Sequence, residues 1–283
     1  MPSCIDLHMH STASDGTDTP TQLVEKMLTR NIQTFAMTDH DTILGVEQVN
    51  EQLPENTTFI PGVEFSCRML SGKCHILGYG YDANHPAFQA VLAEGTNLRQ
   101  AKLDVRLSFL QERGIVFPDE ELSKLHQLPS VGKPHLANLM VKFGYAGSIK
   151  EAIDDTLNLC HTSSSRVSAE TAVRAIAAAG GIPVWAHPLG GTGEKEIGKD
   201  QFSLMLKELI GYGLKGLECF YSKYPMASCE KLADVAREKS LLISGGSDYH
   251  GKNKNIEPGT LNAENIVIQP ERLTILNHLR IGA

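Results

Sequence analysis

Two pairs of metal-binding side chains end short apolar runs near opposite ends of the chain. The run "SLLISGGSDYHG" carries Asp248 and His250 two residues apart, and "CIDLHMH" carries His8 and His10 at the same spacing. Alternate residues of an extended strand point to the same face, so each pair can present both side chains to one site. Imidazole and carboxylate groups at this spacing indicate either metal ions or a structural hydrogen-bonded cluster.

Side chains of the same kind stand at or beside most of the other apolar runs. The whole set is His8, His10, Asp39, His40, Glu64, His75, His187, Asp248 and His250. Burying so many unpaired polar groups would be costly, whereas divalent cations would satisfy them. A mixed histidine and carboxylate set suits Zn, Mn or Fe better than Mg or Ca, and the lack of clustered cysteines argues against a structural zinc site.

Seven apolar or β-branched runs could place these residues as strands. The runs are 4–8, 34–38, 58–64, 74–80, 181–187, 216–221 and 241–246, and helical patterns occupy 19–30, 168–179, 201–211 and 226–239. Alternating strands and helices predict an α/β fold with a parallel sheet, either closed as a barrel or open and doubly wound. In both, the carboxyl ends of the strands form the active-site edge. His75 starts its run, so it reaches that edge only if its strand is antiparallel.

The alternation of strand and helix breaks for about a hundred residues in the middle of the chain. Helical patterns there cover roughly 92–110, 134–143 and 148–157, with no convincing strand. We therefore expect a barrel domain built from residues 1–81 and 168–283, with an inserted helical subdomain at 82–167.

Composition narrows the class of protein. The 283 residues are 41% hydrophobic and 21% charged, with a formal net charge of -7, which argues against a broad surface for a nucleic-acid duplex but leaves room for a small anion pocket. The six cysteines form no CxxC pair and are expected to be reduced. Without a bilayer-length apolar stretch or signal-peptide pattern, we expect a cytoplasmic protein with no membrane partner.

Eight motifs together resemble the polymerase and histidinol phosphatase (PHP) family, in particular its smaller metal-dependent phosphoesterases. They are "DLHMHSTASDGTDTP", "MTDHDT", "IPGVEFS", "HILGYG", "KPHLA", "GGIPVWAHP", "GLECFY" and "GGSDYHG". They occur in the family's order and cover nearly the whole length. The resemblance implies a distorted (β/α)7 barrel with a helical insertion.

The resemblance also implies three metal positions, holding two or three divalent transition metals (Mn, Zn or Fe). The first would be held by His8, His10, Glu64 and Asp248, the second by Glu64, His75 and His187, and the third by Asp15, His40 and His250. Asp6, Asp39 and Glu218 are expected to orient ligating histidines by accepting hydrogen bonds from their imidazoles.

The charge of such a centre favours phosphate chemistry. Three divalent cations outweigh three carboxylates and a bridging hydroxide, so the site keeps a positive surplus that attracts a phosphate dianion. The nucleophile would be the metal-bridging hydroxide, with Glu64, Asp248 and His250 as catalytic residues. Lys133, His135 and Arg166 are candidates to hold substrate phosphate.

These residues predict hydrolysis of a phosphate monoester or cyclic diester of a small nucleotide or sugar phosphate. Three alternatives remain at this point: a 5′-3′ exonuclease on short RNA, a non-catalytic metal-binding PHP module, and an amidohydrolase acting on C–N bonds. The segment "CHTSSSRVS" replaces an aromatic, proline-rich stretch of many relatives, and lysine replaces arginine before the proline of "KPH". Because of these two departures, the resemblance does not identify the substrate.

Overall fold

Eight strands form one sheet that curls into a nearly closed barrel in the computed structural model, which describes residues 2–49, 53–54, 56–162, 166–192 and 194–279. The strands are β1 (Ile5–Asp6), β2 (Thr34–Met37), β3 (Thr58–Met69), β4 (Gly72–Tyr79), β5 (Val167–Ser168), β6 (Ile182–Trp185), β7 (Gly216–Tyr221) and β8 (Leu242–Gly246). The sheet order is β1-β2-β3-β4-β6-β7-β8, with β5 beside β3. The Leu7 amide donates to the Gly245 carbonyl at 3.2 Å, which brings β8 against β1.

Among the described strands, only β4 runs antiparallel to its neighbours. It pairs antiparallel with both β3 and β6, and the remaining pairs are parallel. His75 near the start of β4 therefore lies opposite Ser66, at the same edge as the carboxyl ends of the parallel strands. His75 lies near the start of its strand, so it could reach this edge only from an antiparallel strand, and β4 is antiparallel.

Helices pack around the sheet and make up most of residues 86–157. They are α1 (Pro20–Thr29), α2 (Leu44–Glu47), α3 (Pro86–Gln111), α4 (Asp119–Gln127), α5 (Lys133–Lys142), α6 (Ile149–Glu151), α7 (Ala169–Ala178), α8 (Lys199–Tyr212) and α9 (Met226–Glu238). Helix α1 starts with a capping box between Thr19 and Gln22 and with Pro20 in its first turn, and it buries Leu23 and Met27. Among the described helices, none combines the length and apolarity needed to cross a membrane.

The long helix α3 connects two apolar cores. Phe88 and Val91 in its first half pack into the barrel core. Leu103 and Leu110 in its second half pack with residues of the following helices, including Leu136, in a separate cluster. Helix α3 is therefore anchored in both apolar cores.

The seven expected strands are present, and the α/β barrel with helices is the observed architecture. The sequence did not predict strand β5, because two residues show no periodicity. It also did not predict helix α4, whose sequence is largely polar. The last expected helix of the insertion becomes a π-helix over Ala152–Leu157.

Candidate metal centre

All nine expected ligands meet at one edge of the barrel. Four groups bring their donor atoms within 4.8 Å of one another: His10, Asp15, His40 and His250; His8, His10 and Asp248; His40, Glu64 and His75; and His75, His187 and Glu194. Most of these residues are buried. Shared members make the four groups one continuous cluster.

The chain's two closely spaced pairs face each other across the junction of β1 and β8. The Nε2 atoms of His8 and His10 lie 3.2 Å apart, and they approach Oδ1 of Asp248 to 3.6 and 3.4 Å. Met9 between the two histidines lies in the apolar cluster beneath α1. Alternation along the extended segment thus separates ligands from core, as the spacing predicts.

Glu64 occupies the centre of the cluster. Its Oε1 lies 3.0 Å from Nδ1 of His75 and 3.1 Å from Nε2 of His187, while Oε2 lies 2.9 Å from Nδ1 of His40 and 3.3 Å from Nε2 of His10. Burial acts to raise the pKa of Glu64, but the surrounding imidazoles outweigh it and hold the pKa well below its usual range. A fully buried carboxylate therefore stays anionic between two sets of histidines.

Three donor atoms of the cluster are poorly satisfied by protein alone. Asp15 Oδ1, His40 Nδ1 and Glu64 Oε2 are buried and form no hydrogen bond within the described parts of the chain. His40 Nδ1 and Glu64 Oε2 are close, but without hydrogen-bond geometry. Buried polar atoms rarely remain unpaired in native proteins. Cations between these nitrogen and oxygen atoms would pair them, so the residues fit a metal centre.

The backbone at two of the expected ligands adopts a conformation that residues other than glycine usually avoid. Asp248 has a φ of 58° and His187 a φ of 29°. The Asp248 amide donates to the carbonyl of His8 at 2.8 Å, which fixes the turn after β8. Such left-handed residues persist where the surrounding structure holds them, frequently at functional sites.

Glu218 on β7 has the orienting role expected of it. Its Oε1 accepts a hydrogen bond from Nδ1 of His8 at 2.8 Å, and its Oε2 accepts one from the His187 amide at 2.6 Å. The contact leaves Nε2 of His8 free to face the cluster. One carboxylate thus contacts two expected ligands, one just after β1 and one just after β6.

Asp6 and Asp39 differ from that expectation. Asp6 accepts backbone hydrogen bonds, for example from the amides of Ser247 and Gly259 at 2.8 Å each. Asp39 accepts from the amide and hydroxyl of Ser11. The loops after β1 and β8 bring N–H groups to both aspartates. Asp6 and Asp39 therefore stabilise the loops that carry the expected ligands.

Glu194 is a contact that sequence reasoning missed. It lies in the loop between β6 and α8, where its Oε2 is 3.1 Å from Nδ1 of His187 and accepts the Gly191 amide at 2.8 Å. Despite burial, Glu194 and Glu64 raise the pKa of His187 to about 10. The only sequence signal was a glutamate seven residues after the "AH" dipeptide, which is not distinctive.

Two further residues bind the outer oxygen of Asp248. Oδ2 accepts hydrogen bonds from Nζ of Lys254 at 2.6 Å and from the hydroxyl of Tyr221 at 2.8 Å. Burial opposes ionisation, but Lys254 and nearby imidazoles keep the pKa of Asp248 well below its usual range. Lys254 was also missed, because nothing in "GKNKN" separates it from solvent-exposed lysines.

The three expected substrate contacts separate into two kinds. Lys133 and Arg166 line a cavity of about 230 Å³ that opens beside His40 and His75, and Nη1 of Arg166 is 3.1 Å from Nε2 of His75. His135 does not line it among the described residues. Instead, its Nδ1 accepts the Gly132 amide at 3.0 Å and caps α5.

Known proteins resemble this chain in sequence and fold. A model of the PHP domain matches residues 6–109. A phosphoribosyl 1,2-cyclic phosphate 1,2-diphosphodiesterase of Eggerthella lenta is 32% identical over 257 residues, covering 87% of this chain and 94% of the relative. The chain belongs to the PHP family.

Two further PHP relatives extend the comparison. A 5'-3' exoribonuclease of Haemophilus influenzae is 32% identical over 253 residues, covering 87% of this chain and 89% of the relative. A Bifidobacterium adolescentis structure, provisionally described as a metal-dependent phosphoesterase, aligns with a TM-score of 0.82 at 25% identity over 99% of this chain and 96% of that one. This PHP chain is a metal-dependent hydrolase that acts on phosphate ester bonds.

Proposed function

We propose that the nine clustered side chains bind three divalent metals in the arrangement that the family motifs imply. His8, His10 and Asp248 would hold the first metal, His75 and His187 the second, and Asp15, His40 and His250 the third. Glu64 would bridge the first two, and the position of its two oxygens between separate sets of histidines supports this assignment. That contact is the observation on which the proposal mainly depends.

Bound divalent cations would supply positive charge for the phosphate oxygens and activate water as a nucleophile. Mn, Zn and Fe suit the mixed donor set. Residues around the ligands would keep these metals in position. Glu218 orients His8, Glu194 contacts His187, and Lys254 keeps the outer oxygen of Asp248 occupied. Glu64, Asp248 and His250 would be the residues whose loss removes the reaction.

Arg166 would stabilise the phosphate during the reaction. Its guanidinium lies beside His75 and lines the cavity that reaches the cluster. A fixed guanidinium can form two hydrogen bonds to phosphate oxygens. Lys133 lines the same cavity. His135 would instead stabilise the start of α5, because its Nδ1 already accepts the Gly132 amide.

The substrate we infer is a small phosphorylated molecule, a nucleotide or sugar phosphate with a monoester or cyclic diester. A cleft of about 870 Å³ lies over the cluster, within the range of about 300 to 1,000 Å³ typical of small-molecule sites. Short RNA is the second candidate, since five lysines line this cleft: Lys133, Lys150, Lys223, Lys252 and Lys254. A cytoplasmic location stays a prediction.

We also infer that residues 82–167 form the inserted subdomain, with 1–81 and 168–283 as the barrel domain. The separate apolar cluster of α3, α5 and the π-helix supports this division. Through α3 and α5 the insertion would place Lys133 over the strand ends.

A metal and substrate screen tests the proposed function. The full chain is purified with Mn, Zn or Fe, metals are counted by elemental analysis, and phosphomonoesters, cyclic nucleotides and 5′-phosphorylated RNA are assayed side by side. We expect two or three metals per chain and turnover of a small phosphate ester, with Asp248→Ala as the inactive control. Less than one metal per folded chain, or no turnover of any ester, would overturn the proposal.

A further inference from the structure

Two tyrosines at the carboxyl end of β7 contact the same loop. Tyr221 is the last residue of β7, and Tyr224 follows three residues later. Both side chains are buried, and their ring centroids lie 4.9 Å apart. The loop is the stretch 189–192, which comes shortly after His187 between β6 and α8. Neither tyrosine was among the site residues expected from the sequence.

The hydroxyl of Tyr224 binds the start of the 189–192 loop. It accepts a hydrogen bond from the Leu189 amide at 2.7 Å and donates one to the Gly190 carbonyl at 3.2 Å. Gly190 has a φ of 103°, a left-handed value that glycine adopts without a steric penalty. Tyr224 therefore fixes the turn at which this loop leaves the barrel.

The hydroxyl of Tyr221 binds both the same loop and Asp248. Its oxygen accepts the Thr192 amide at 3.0 Å, and it lies 3.2 Å from the Thr192 hydroxyl and 2.8 Å from Oδ2 of Asp248. A backbone N–H can only donate, so the phenol oxygen is the acceptor there and its own proton remains for a second partner. Asp248 is anionic and closer than the threonine hydroxyl, so the phenol O–H donates to Asp248.

Two donors therefore meet at one oxygen of Asp248. Nζ of Lys254 lies 2.6 Å from Oδ2, the oxygen that also accepts the Tyr221 hydroxyl. The other oxygen, Oδ1, lies 3.6 Å from Nε2 of His8 and 3.4 Å from Nε2 of His10. The carboxylate is buried, so water competes little with either donor. These contacts keep Oδ2 engaged and turn Oδ1 toward the histidines.

We propose that Tyr221 is a positioning residue, which sets the orientation of Asp248 and couples that carboxylate to the 189–192 loop. Thr192 holds the phenol, and the phenol holds Oδ2. The inference rests on the proposed metal centre, where it gives a role to a residue outside the ligand set. Tyr224 holds the same loop, but its hydroxyl forms no hydrogen bond to Asp248 in the described part of the chain.

A double-mutant cycle on metal affinity tests this role. Tyr221→Phe removes the hydroxyl and keeps the buried ring, while Lys254→Met removes the second donor to the same oxygen. Each single variant should lower the affinity for one metal by about tenfold to a hundredfold, measured by competition with a chelator. The double variant should differ from the product of the single effects by roughly twofold to a hundredfold, because both groups act on one carboxylate oxygen.

Tyr224→Phe is the matched control. It makes the same chemical change in a neighbouring buried ring and removes contacts to the same loop, so it reproduces any effect that comes from the loop alone. When it is combined with Lys254→Met, the two effects should multiply without coupling. Circular dichroism verifies that each variant is folded. Coupling of Lys254 to both tyrosines, or to neither, would overturn the positioning role of Tyr221.

Hydrogen–deuterium exchange in the metal-free, full-length protein separates this proposal from the metal centre. Exchange of the 189–192 amides reports how firmly the loop is held. Asp248→Ala should speed it by roughly twofold to tenfold, the usual worth of one hydrogen bond. In a Tyr221→Phe background the same substitution should have no further effect, whereas an effect that bypasses the phenol would persist there.

The two measurements fail in different ways. A wild-type protein that binds no metal but shows the coupled exchange would overturn only the metal centre, and the link from the loop through Tyr221 to Asp248 would stand. Unchanged exchange in Asp248→Ala, or an equal increase with and without the Tyr221 hydroxyl, would overturn that link.

Discussion

Nζ of Lys254 lies 2.6 Å from Oδ2 of Asp248, the carboxylate oxygen that faces away from His8 and His10. The carboxylate is therefore held from both sides, by a cation at one oxygen and by the cluster at the other. A loop lysine thus holds one oxygen of an expected ligand that follows β8.

Lys254→Met should weaken metal binding without unfolding the protein. Loss of an outer contact to a metal ligand typically costs about tenfold to a hundredfold in metal affinity or activity. Metal content after dialysis and kcat measure the effect, and Lys254→Arg should restore part of both. Lys239→Met, which removes an exposed lysine paired with Glu238, should match the wild type. Full metal retention in Lys254→Met would assign the lysine to substrate instead.

Glu64→Ala should release at least two metals, because this one carboxylate contacts histidines of two groups. Elemental analysis of the purified variant counts what remains. Glu170→Ala, at an exposed glutamate on α7, serves as the control. A variant that loses a single metal would contradict the bridging position of Glu64.

Arg166→Ala should keep its metals and lose most phosphoesterase activity. Removing one contact to the transition-state phosphate costs about a hundredfold to a thousandfold in rate. Asp248→Ala should instead lose metals and activity together. Steady-state kinetics and metal counts on the same samples separate the two outcomes. Wild-type rate and affinity in Arg166→Ala would show that the guanidinium does not hold phosphate.

Glu194→Gln should lower metal occupancy at the His187 position. Glutamine can still contact His187, but it removes the negative charge that strengthens the imidazole as a ligand. We expect about a tenfold loss in metal affinity, measured by competition with a chelator. Glu196→Gln, two residues along the same loop and exposed, provides the comparison. Equal affinity in both variants would make Glu194 a loop contact only.

Alternation in the sequence correctly predicted which side chains share a face. In "HMH", spacing by two directs both imidazoles to one side and Met9 to the core, and the structure has this arrangement. The start position of His75 likewise required an antiparallel strand, and β4 is antiparallel. Both were predictable because they depend on local strand geometry.

Contacts made by loops were not predictable in this way. Glu194 and Lys254 reach His187 and Asp248 from irregular segments whose direction depends on tertiary packing. Asp6 and Asp39 were misread for the same reason, since adjacency to a histidine in sequence does not set the acceptor's direction in space. Their oxygens accept backbone amides and hydroxyls of the loops instead.

The sequence by itself determined the order of seven of the eight described strands and of most described helices, and the residue types that converge at the strand ends, because strand alternation and helix periodicity are local properties of the chain. Only the tertiary structure decided which charges have partners. Arg99 pairs with Asp41, whereas Arg106, about two turns further along the same face of the helix, is buried beside a cavity. Electrostatic partnership acts through space, and residues separated by dozens of positions meet only when the insertion packs against the barrel.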